Sequence, residues 1–203
     1  MILRKFVVGD MGNNNYLVAD NGEAALIDCT GLIPELDSVL KELNVELKYI
    51  FLTHAHFDHI GGIKKVQEKH DCKVYLHEDD KKTLDTTNDF LQAVGMEPMD
   101  IPNVDVWLKD GDKVHVGNEE YDVIHLPGHT PGGVGYKINN MLFSGDTIFM
   151  NSVGRTDLPG GNAEVLRNSI KDRVFSLDDN TIIYPGHGSD TSVGFEKKYN
   201  SFV

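Results

Sequence analysis

The chain contains 203 residues, enough for a domain with its own hydrophobic core, and we expect residues 1–203 to form a single domain. Its 32 acidic and 19 basic residues give a formal net charge of -13 at pH 7, which argues against nucleic acid and membrane surfaces as partners. No apolar run approaches the roughly 18 residues of a membrane span, the N-terminal run is too short for a signal peptide, and two cysteines are too few for a disulfide framework, so we expect a cytoplasmic protein.

Strand-like and helix-like patterns alternate along the chain, which predicts a mixed α and β architecture. The expected strands are short β-prone runs bounded by glycine, asparagine or aspartate: 4–8, 15–20, 24–29, 104–108, 112–116, 120–126, 133–138 and 141–145. The expected helices have apolar residues at spacings of three and four: 34–43, 63–70, 78–95 and 163–175. Asn162 is the expected cap of the last helix, because asparagine accepts hydrogen bonds from a helix N-terminus.

Four apolar, β-prone runs end in a side chain that can bind a metal. These side chains are His54, His129, Asp146 and His187. In three of the four cases a glycine directly precedes the side chain, where the missing Cβ lets the backbone turn sharply and approach its neighbours closely. We therefore expect the four strand ends to meet at one place in the fold.

The stretch "THAHFDHIGG" holds three of the nine histidines. Alternate side chains of an extended segment point the same way, so His54, His56 and Asp58 are expected on one face. His59 is expected to reach the same region where the chain turns into a helix near Ile60. Imidazole and carboxylate suit a borderline cation such as Zn²⁺, which takes about four ligands. Together with the three later strand-end residues, this cluster exceeds one tetrahedral site, which predicts two metal ions.

The remaining histidines are expected to be ordinary surface or core residues, as a lone histidine beside a strand usually is. They are His70, His77, His115 and His125. The crowded cluster differs, because histidines and acids packed at the ends of apolar strands repel one another and lose hydration unless a cation neutralises them.

The sequence resembles the metallo-β-lactamase superfamily and, within it, the short glyoxalase II-like hydrolases. The resemblance rests on the segments "NNNYLVAD", "AALIDC", "THAHFDHIGG", "LPGHTPGG", "LFSGDTIF", "GRTDLPGG", "YPGHGSDT" and "GFEKKYN", which extend over nearly the whole chain. It implies an α+β fold, a four-layer αβ/βα sandwich whose metals lie at one edge of the two sheets.

The resemblance also implies a ligand set and the ions it holds. It assigns His54, His56 and His129 to a first metal, Asp58, His59 and His187 to a second, and Asp146 to both as a bridge. Two divalent ions are implied, with zinc expected and iron as the alternative at one or both sites. The expected catalytic carboxylates are Asp58 and Asp146, with Asp58 orienting the attacking hydroxide or receiving its proton.

Metal coordination lowers the pKa of water to about 7, so such a site needs no serine or cysteine nucleophile. The sequence offers no strong dedicated general acid, and a thiolate, with a parent pKa of about 8.5, departs without one. This favours a small-molecule thioester or related activated ester over an amide. Glyoxalase II-like proteins cleave S-acyl thiols such as lactoylglutathione. Full-length glyoxalase II has a C-terminal helical region for glutathione that is not expected here, which leaves coenzyme A and other small thiols open as carriers.

Candidate substrate contacts are less defined than the ligands. Arg155 in "GRTDLPGG" either binds a substrate carboxylate or braces its loop through Asp157, and both interpretations stay open. Tyr136, Lys137 and Tyr16 are further candidates, each with a surface or packing role as the ordinary interpretation.

Three further functions stay open. Persulfide dioxygenases are similar in fold and in the "GRTD" segment, and hold one Fe(II) with residues that correspond to His54, His129 and Asp146. A phosphodiesterase of the same superfamily is the second, although the acidic composition argues against a polynucleotide substrate. A non-catalytic binding module is the third. Antibiotic-hydrolysing lactamase activity is less expected, because those enzymes typically have a cysteine at the position of Asp146. The sequence does not indicate an oligomeric state.

Overall fold

The computed structural model describes all 203 residues, and most of its strands form two six-stranded sheets. The first sheet has its strands in chain order: β1 (Ile2–Val8), β2 (Asn13–Asp20), β3 (Glu23–Ile27), β4 (Glu46–Phe51), β5 (Lys73–His77) and β6 (Val106–Leu108). The second sheet contains β7 (Lys113–Val116), β8 (Glu119–His125), β9 (Val134–Ile138), β10 (Met141–Gly145), β13 (Ile182–Pro185) and β14 (Thr191–Ser192). Its spatial order is β14-β13-β10-β9-β8-β7. A two-stranded ribbon joins β11 (Ile148–Phe149) and β12 (Ser152–Val153).

The helices are short. They are α1 (Leu36–Leu43), α2 (Phe57–Ile60), α3 (Ile63–Gln67), α4 (Lys81–Asp85), α5 (Thr87–Ala93), α6 (Ala163–Ser169) and α7 (Val193–Tyr199), with a 3₁₀ turn at Glu78–Asp80 and a π-helical turn at Ile170–Val174. None of them is both long and apolar enough to cross a bilayer. The expected cap of α6 is confirmed, since the Asn162 side chain accepts hydrogen bonds from the backbone amides of Glu164 and Val165.

Both faces of the first sheet are buried, as the residues of β2 show. Leu17 and Ala19 point into a core shared with α1, α3 and α4, whereas Tyr16 and Val18 point into a core shared with the second sheet. This alternation follows from the two-residue period of a strand. It explains why the strand is apolar on both faces, as expected for a strand covered on both sides.

The second sheet repeats this arrangement. Phe143 of β10 points into the core between the sheets, and its neighbour Leu142 packs with Leu166 and Ile170 on the outer helical side. Three cores therefore separate four layers: helices, sheet, sheet and helices. The expected α+β fold, a four-layer αβ/βα sandwich, is confirmed.

The carboxyl ends of several strands lie at one edge of the sandwich. β3, β4, β5 and β6 are parallel to one another in the first sheet. In the second sheet β10 is parallel to β13, and β8 runs the same way because both β8 and β10 are antiparallel to β9. The carboxyl ends of β8, β10 and β13 therefore share one edge of that sheet.

Several elements differ from the expectations drawn from the sequence. Asn13 and Asn14, which precede the strand expected over 15–20, begin β2 and pair with β1. The helix expected over 78–95 is broken at Thr86, whose hydroxyl donates to the Lys82 carbonyl, a bond that competes with continuous helix. β11, β12 and β14 are two residues long, too short to leave a periodic pattern.

Candidate metal centre

The segment after β4 carries the first candidate ligands. His54 and His56 lie in irregular chain between β4 and α2, and His56 has the extended backbone of a helix N-cap. Asp58 and His59 already belong to α2, which begins at Phe57. The expected alternation along an extended segment therefore holds only as far as His56. Asp58 reaches the cluster because the chain turns into a helix earlier than predicted.

The structure brings all seven candidate ligands together. Three overlapping groups have ligand atoms within 4.8 Å of one another: His54, His56 and His129; His54, His59 and Asp146; Asp58, His59 and His187. In the first group, His56 Nδ1 lies 2.9 Å from His129 Nε2. In the third, Asp58 Oδ2 lies 3.6 Å from His59 Nε2 and 3.5 Å from His187 Nε2.

Asp146 occupies the position between the first and third groups. Its Oδ1 lies 3.5 Å from His59 Nε2, and its Oδ2 lies 3.6 Å from His129 Nε2 and 3.5 Å from His187 Nε2. One carboxylate thus faces imidazoles of both groups. This is the placement that a bridging ligand requires.

Hydrogen bonds on the far side of four imidazoles fix the rings. The acceptors are fixed by chemistry, so each Nδ1 donates: His59 to Asp28 at 2.9 Å, His129 to the Arg155 carbonyl at 2.7 Å, His187 to the Met11 carbonyl at 3.1 Å, and His54 to Thr53 Oγ1 at 3.0 Å. Thr53 Oγ1 accepts because its own proton goes to Asp28 Oδ2. Every one of these rings therefore turns its Nε2 toward the cluster, and the bond at Nδ1 leaves Nε2 as the nitrogen available to a metal.

Unsatisfied buried atoms test whether a cation fits. His54 Nε2 and Asp146 Oδ1 are buried without a hydrogen-bond partner. Buried polar atoms are normally paired, because losing hydration without a partner costs roughly 1–3 kcal/mol. A divalent cation would satisfy both atoms, and nitrogen and carboxylate oxygen are ligands that zinc and iron accept. The residues present fit such an ion.

The pKa values of two histidines in the first group are lowered, which keeps their rings neutral. Burial lowers the pKa of His54 well below its ordinary value, and the neighbouring His59 and His129 lower it further. Burial and His129 also lower the pKa of His56 to about 3. Both rings are neutral at pH 7, and neutral imidazole is the form that binds metal ions.

The carboxylates stay ionised despite their burial. Burial acts to raise the pKa of Asp146, but the charge of His59, whose Nε2 lies 3.5 Å from Oδ1, holds it below its ordinary value. Burial likewise acts to raise the pKa of Asp58, and the His187 hydrogen bond and the charge of His59 outweigh it. Burial acts to lower the pKa of His59 and of His187, but Asp28 and Asp146 raise the first and Asp58 and Asp146 raise the second. The cluster therefore combines the neutral rings of His54 and His56 with two anionic carboxylates.

Two of the glycines that directly precede a ligand lie too close to neighbouring atoms to carry a side chain. A Cβ on Gly186 would overlap Asp146 Oδ1 and lie 2.9 Å from His59 Cε1. Gly145 has a φ of +50°, and a Cβ there would overlap Thr53 Oγ1. Side chains at these positions would push the ligands apart.

Asp28 is a functional residue that the sequence patterns did not single out. Its carboxylate accepts hydrogen bonds from the Thr53 amide at 2.8 Å, the Thr53 hydroxyl at 2.8 Å and His59 Nδ1 at 2.9 Å. It thus holds two ligand rings, His59 directly and His54 through Thr53. The available signal was an acid that ends the apolar strand "AALID".

Asp80 ties the two ligand loops to each other. Its buried carboxylate accepts from the Ala55 amide at 2.8 Å, the Thr130 hydroxyl at 2.9 Å and the Gly132 amide at 2.7 Å. Ala55 lies between two ligands of the first loop, and Thr130 follows His129. The acidic run around Asp80 is typical of an exposed helix start, so no sequence pattern indicated this role.

Asn13 also belongs to the centre. Its side chain is buried, and its Nδ2 donates to Asp58 Oδ2 at 2.8 Å. This contact orients the carboxylate on α2 from a different part of the chain. The run of three asparagines that begins "NNNYLVAD" was the available signal, but Asn13 lies outside the strand expected over 15–20.

The structure places three candidate substrate contacts away from the metal centre. Tyr136 and Tyr16 are buried, and their hydroxyls donate to the carbonyls of Leu52 and Pro185. Lys137 bonds to a carbonyl in the β9–β10 turn, whereas β9 begins at the ligand edge. Packing between the sheets and strand direction therefore exclude these side chains from the centre.

Arg155 lies beside the centre, and its side chain is exposed and paired with an acid of its own loop. Its guanidinium forms two 2.8 Å hydrogen bonds to Asp157, and its backbone carbonyl accepts from His129. Of the two interpretations of this residue, the structure shows the loop brace. The brace matters to the centre because the same residue's carbonyl orients a ligand ring.

The histidines outside the centre make separate contacts. His70 bonds to Asp37, and His115 bonds to Glu120 on the surface. Neither ring approaches the seven clustered residues, in keeping with the ordinary role expected for them.

His77 and His125 lie near the exposed Asp79, but their geometry differs from that of the cluster. The two rings stack at 4.1 Å with an angle of 12° between them. The Asp79 amide donates to His77 Nδ1, and His125 Nε2 donates to the Pro131 carbonyl at 2.9 Å. These nitrogens already have hydrogen-bond partners, whereas His54 Nε2 in the cluster has none.

Replacing Asp28 by asparagine is expected to weaken metal binding by about 10- to 100-fold, the usual effect of losing a bond that orients a ligand. An asparagine keeps the size and tolerates the φ of +61° at this position, but its amide nitrogen cannot accept from Thr53 or His59. Competition with a chromophoric chelator measures the change. Asp110→Asn, which removes an exposed partner of Arg173, is the matched control. Equal affinities in the two variants would contradict the role of Asp28.

The chain is similar to known proteins both in sequence and in structure. The sequence profile of the metallo-β-lactamase superfamily matches residues 8–187. Hydroxyacylglutathione hydrolase GloC of Haemophilus influenzae is 34% identical, over 94% of this chain and 92% of GloC. The crystal structure of BLEG-1 B3 metallo-β-lactamase superimposes with a TM-score of 0.91 at 33% identity, covering 99% of each chain. The di-iron-bound form of TTHA1623 gives a TM-score of 0.86 at 36% identity, over 98% of this chain and 100% of that chain.

Proposed function

This chain belongs to the metallo-β-lactamase superfamily, and we propose that it hydrolyses a small-molecule thioester with two divalent metal ions bound by the seven clustered residues. Membership and the clustered ligands support a metal-dependent hydrolase. The observation that carries the two-metal proposal is the position of Asp146, within 3.6 Å of His129 in one group and 3.5 Å of His59 and His187 in the other. Zinc is the proposed metal, and the di-iron form of TTHA1623 supports iron as the alternative.

The residues divide the work of such a site. When bound, divalent metals supply a Lewis acid for a carbonyl and lower the pKa of water. Asp28 and Thr53 hold two ligand rings in the required tautomer. Asp58, ionised and anchored by Asn13, is placed to orient an attacking water and receive its proton. Asp146 keeps the two ligand groups in register.

The surroundings of the cluster support a thioester as the substrate. Lys137 and Tyr136 do not reach the centre, and the Arg155 guanidinium is paired with Asp157. A leaving group must therefore depart without help from these residues. A thiolate, with a parent pKa of about 8.5, does so far more easily than an amine. The similarity to GloC, a hydroxyacylglutathione hydrolase, supports the same substrate class.

The proposed location is the cytoplasm. Cys29 and Cys72 are both free and buried, which suits a reducing compartment. Burial raises the pKa of the Cys72 thiol to about 11, so this residue stays protonated and does not compete as a nucleophile.

A β-lactam is a second candidate substrate. The observation in its favour is the TM-score of 0.91 with BLEG-1, which is described as a B3 metallo-β-lactamase. A β-lactam carbonyl is also an activated acyl group, but its leaving group is an amine, which departs less easily than a thiolate without a general acid. Fe(II)-dependent persulfide oxidation and phosphodiester hydrolysis are the remaining candidate reactions, and the assays below distinguish them.

A substrate panel on the purified protein tests the proposal. Metal content is measured first, and the protein is then assayed with thioesters by thiol release, with a chromogenic cephalosporin, with bis(p-nitrophenyl) phosphate, and with a persulfide by oxygen uptake. We expect kcat/KM for the best thioester to exceed that for the cephalosporin and the phosphodiester by at least tenfold, with no oxygen consumed. Stoichiometric iron with oxygen uptake, or a preference for another substrate, would overturn the thioesterase proposal.

A further inference from the structure

A small groove adjoins the first ligand group. It lies between the segment after β4, helices α4 and α5, and the "GRTDLPGG" loop, and encloses about 370 Å³ of space that is partly open to solvent. We call it the Phe57 pocket. His56 forms part of its wall, and His56 Nδ1 lies 2.9 Å from His129 Nε2. A molecule whose reacting carbonyl lies at the ligand cluster therefore has this pocket as an immediate neighbour.

The aromatic wall of the pocket is apolar. The rings of Phe57 and Phe90 stack at 6.1 Å with an angle of 30° between them. Leu158 and Pro159 of the loop also line the space. These side chains present hydrocarbon surface, which favours an apolar occupant because burial removes both surfaces from water.

The polar residues of the pocket have no free hydrogen-bond donors. The hydroxyls of Thr86 and Thr87 donate to carbonyls one helical turn earlier, and the Thr83 hydroxyl donates to Asp80. The threonine hydroxyl protons are therefore already used within the neighbouring helical turns. The only ionisable residue in the lining is His56, and it belongs to the ligand cluster, where its Nδ1 faces His129 Nε2. A charged or strongly hydrated group would lose its hydration here without a partner.

We propose that the Phe57 pocket binds the acyl chain of the substrate and gives the enzyme a preference for uncharged branched or aromatic acyl groups. The inference rests on the proposed thioesterase function, since it assigns one half of that substrate. Each additional buried methylene contributes roughly fourfold to kcat/KM at the usual value for apolar burial. A carboxylate at the end of the acyl chain removes this gain, because nothing in the pocket pairs with it.

A series of S-acyl N-acetylcysteamine thioesters tests the preference with the metal-loaded enzyme. Since only the acyl group changes, the series isolates the pocket from the thiol side. We expect kcat/KM to rise at least tenfold from acetyl to isovaleryl and phenylacetyl, and to fall again for succinyl. Equal values for acetyl, isovaleryl and succinyl would overturn the assignment.

A pocket-filling variant locates the preference. Thr86→Trp is expected to lower the isovaleryl-to-acetyl ratio of kcat/KM at least tenfold, since the indole occupies the groove. Lys81→Trp adds the same side chain at an exposed position of α4 that does not line the groove, and is expected to keep the native ratio. The same fall in both variants would contradict the proposal. If Thr86→Trp fails to fold, the thioester series on the native enzyme decides alone.

Failure of the proposed function is distinguishable from failure of the pocket. If no thioester is hydrolysed, the thioesterase proposal fails, and calorimetric binding of thioethers then decides the pocket. S-isopentyl and S-phenethyl N-acetylcysteamine are expected to bind at least tenfold more tightly than the S-ethyl compound. Equal affinities would overturn the inference. Hydrolysis of all acyl groups at one rate would refute the pocket and leave the thioesterase proposal standing.

Discussion

Replacing Asp146 by asparagine is expected to lower kcat/KM for thioester hydrolysis by at least about 10³-fold, which corresponds to the several kcal/mol that a metal contributes to a transition state. Asparagine has nearly the same volume, so the change removes charge and one ligand atom without opening a cavity. Asp146 faces His129, His59 and His187, whereas the other cluster carboxylate faces only His59 and His187. The loss is therefore felt in both ligand groups.

Metal content and activity separate the outcomes of this substitution. Elemental analysis of Asp146→Asn is expected to show less than the native metal content, and steady-state kinetics to show the loss in kcat/KM. Asp122→Asn is the matched control, because it removes an exposed carboxylate on β8 that pairs with Lys113. Activity of Asp146→Asn within tenfold of the control, at full metal content, would contradict the bridging role.

Removing the metals is expected to lower the melting temperature by about 5–11 °C as well as abolish activity. A ligand at one hundred times its Kd stabilises a fold by about 2.7 kcal/mol, and a domain of this size shifts by roughly 2–4 °C per kcal/mol. The structural reason is that the ligands come from both sheets: His54 and His56 follow β4, and His129 follows β8. A metal held by these residues crosslinks the two halves of the sandwich. Without one, His54 Nε2 and Asp146 Oδ1 stay buried and unpaired.

Differential scanning calorimetry with and without a strong chelator measures this shift. The control is the same chelator saturated with zinc, which keeps its solvent effects but removes no metal. Addition of zinc or iron to the stripped protein is expected to restore both the melting temperature and the activity. An unchanged melting temperature and undiminished activity, with complete metal removal shown by elemental analysis, would contradict the metal assignment.

Some of the strands, one helix start and the ligand motif could be predicted from the sequence, because they depend on local interactions. Short β-prone runs bounded by turn-forming residues predicted β2, β3 and β10, and the capping preference of asparagine predicted the start of α6 at Asn162. Each of these features depends on neighbours within a few residues. The ligand motif was also readable, because histidines and acids crowded at strand ends conflict with burial unless they hold a cation.

Longer-range contacts limited the prediction of helices and substrate contacts. The helix expected over 78–95 is broken, and two tyrosines taken as candidate contacts are buried. Tyr136 and Lys137 are adjacent in sequence, yet one points into the core between the sheets and the other does not. Which face of β9 is covered depends on the sheet that packs against it.

The sequence by itself determined which side chains are candidate ligands, because this follows from residue type and from their position at the ends of apolar runs. The layered architecture was implied by the resemblance to the superfamily, whereas spacing alone predicted only a mixed α and β arrangement. Only the tertiary structure decided how the ligands are held. Asp28 and Asp80 act through hydrogen bonds to residues 25 to 52 positions away, a separation that no local period encodes. The Phe57 pocket likewise exists only where three distant segments meet. A buried carboxylate needs hydrogen-bond donors, and the fold supplies them from residues that are distant in sequence. The roles of Asp28 and Asp80 therefore depend on the tertiary structure.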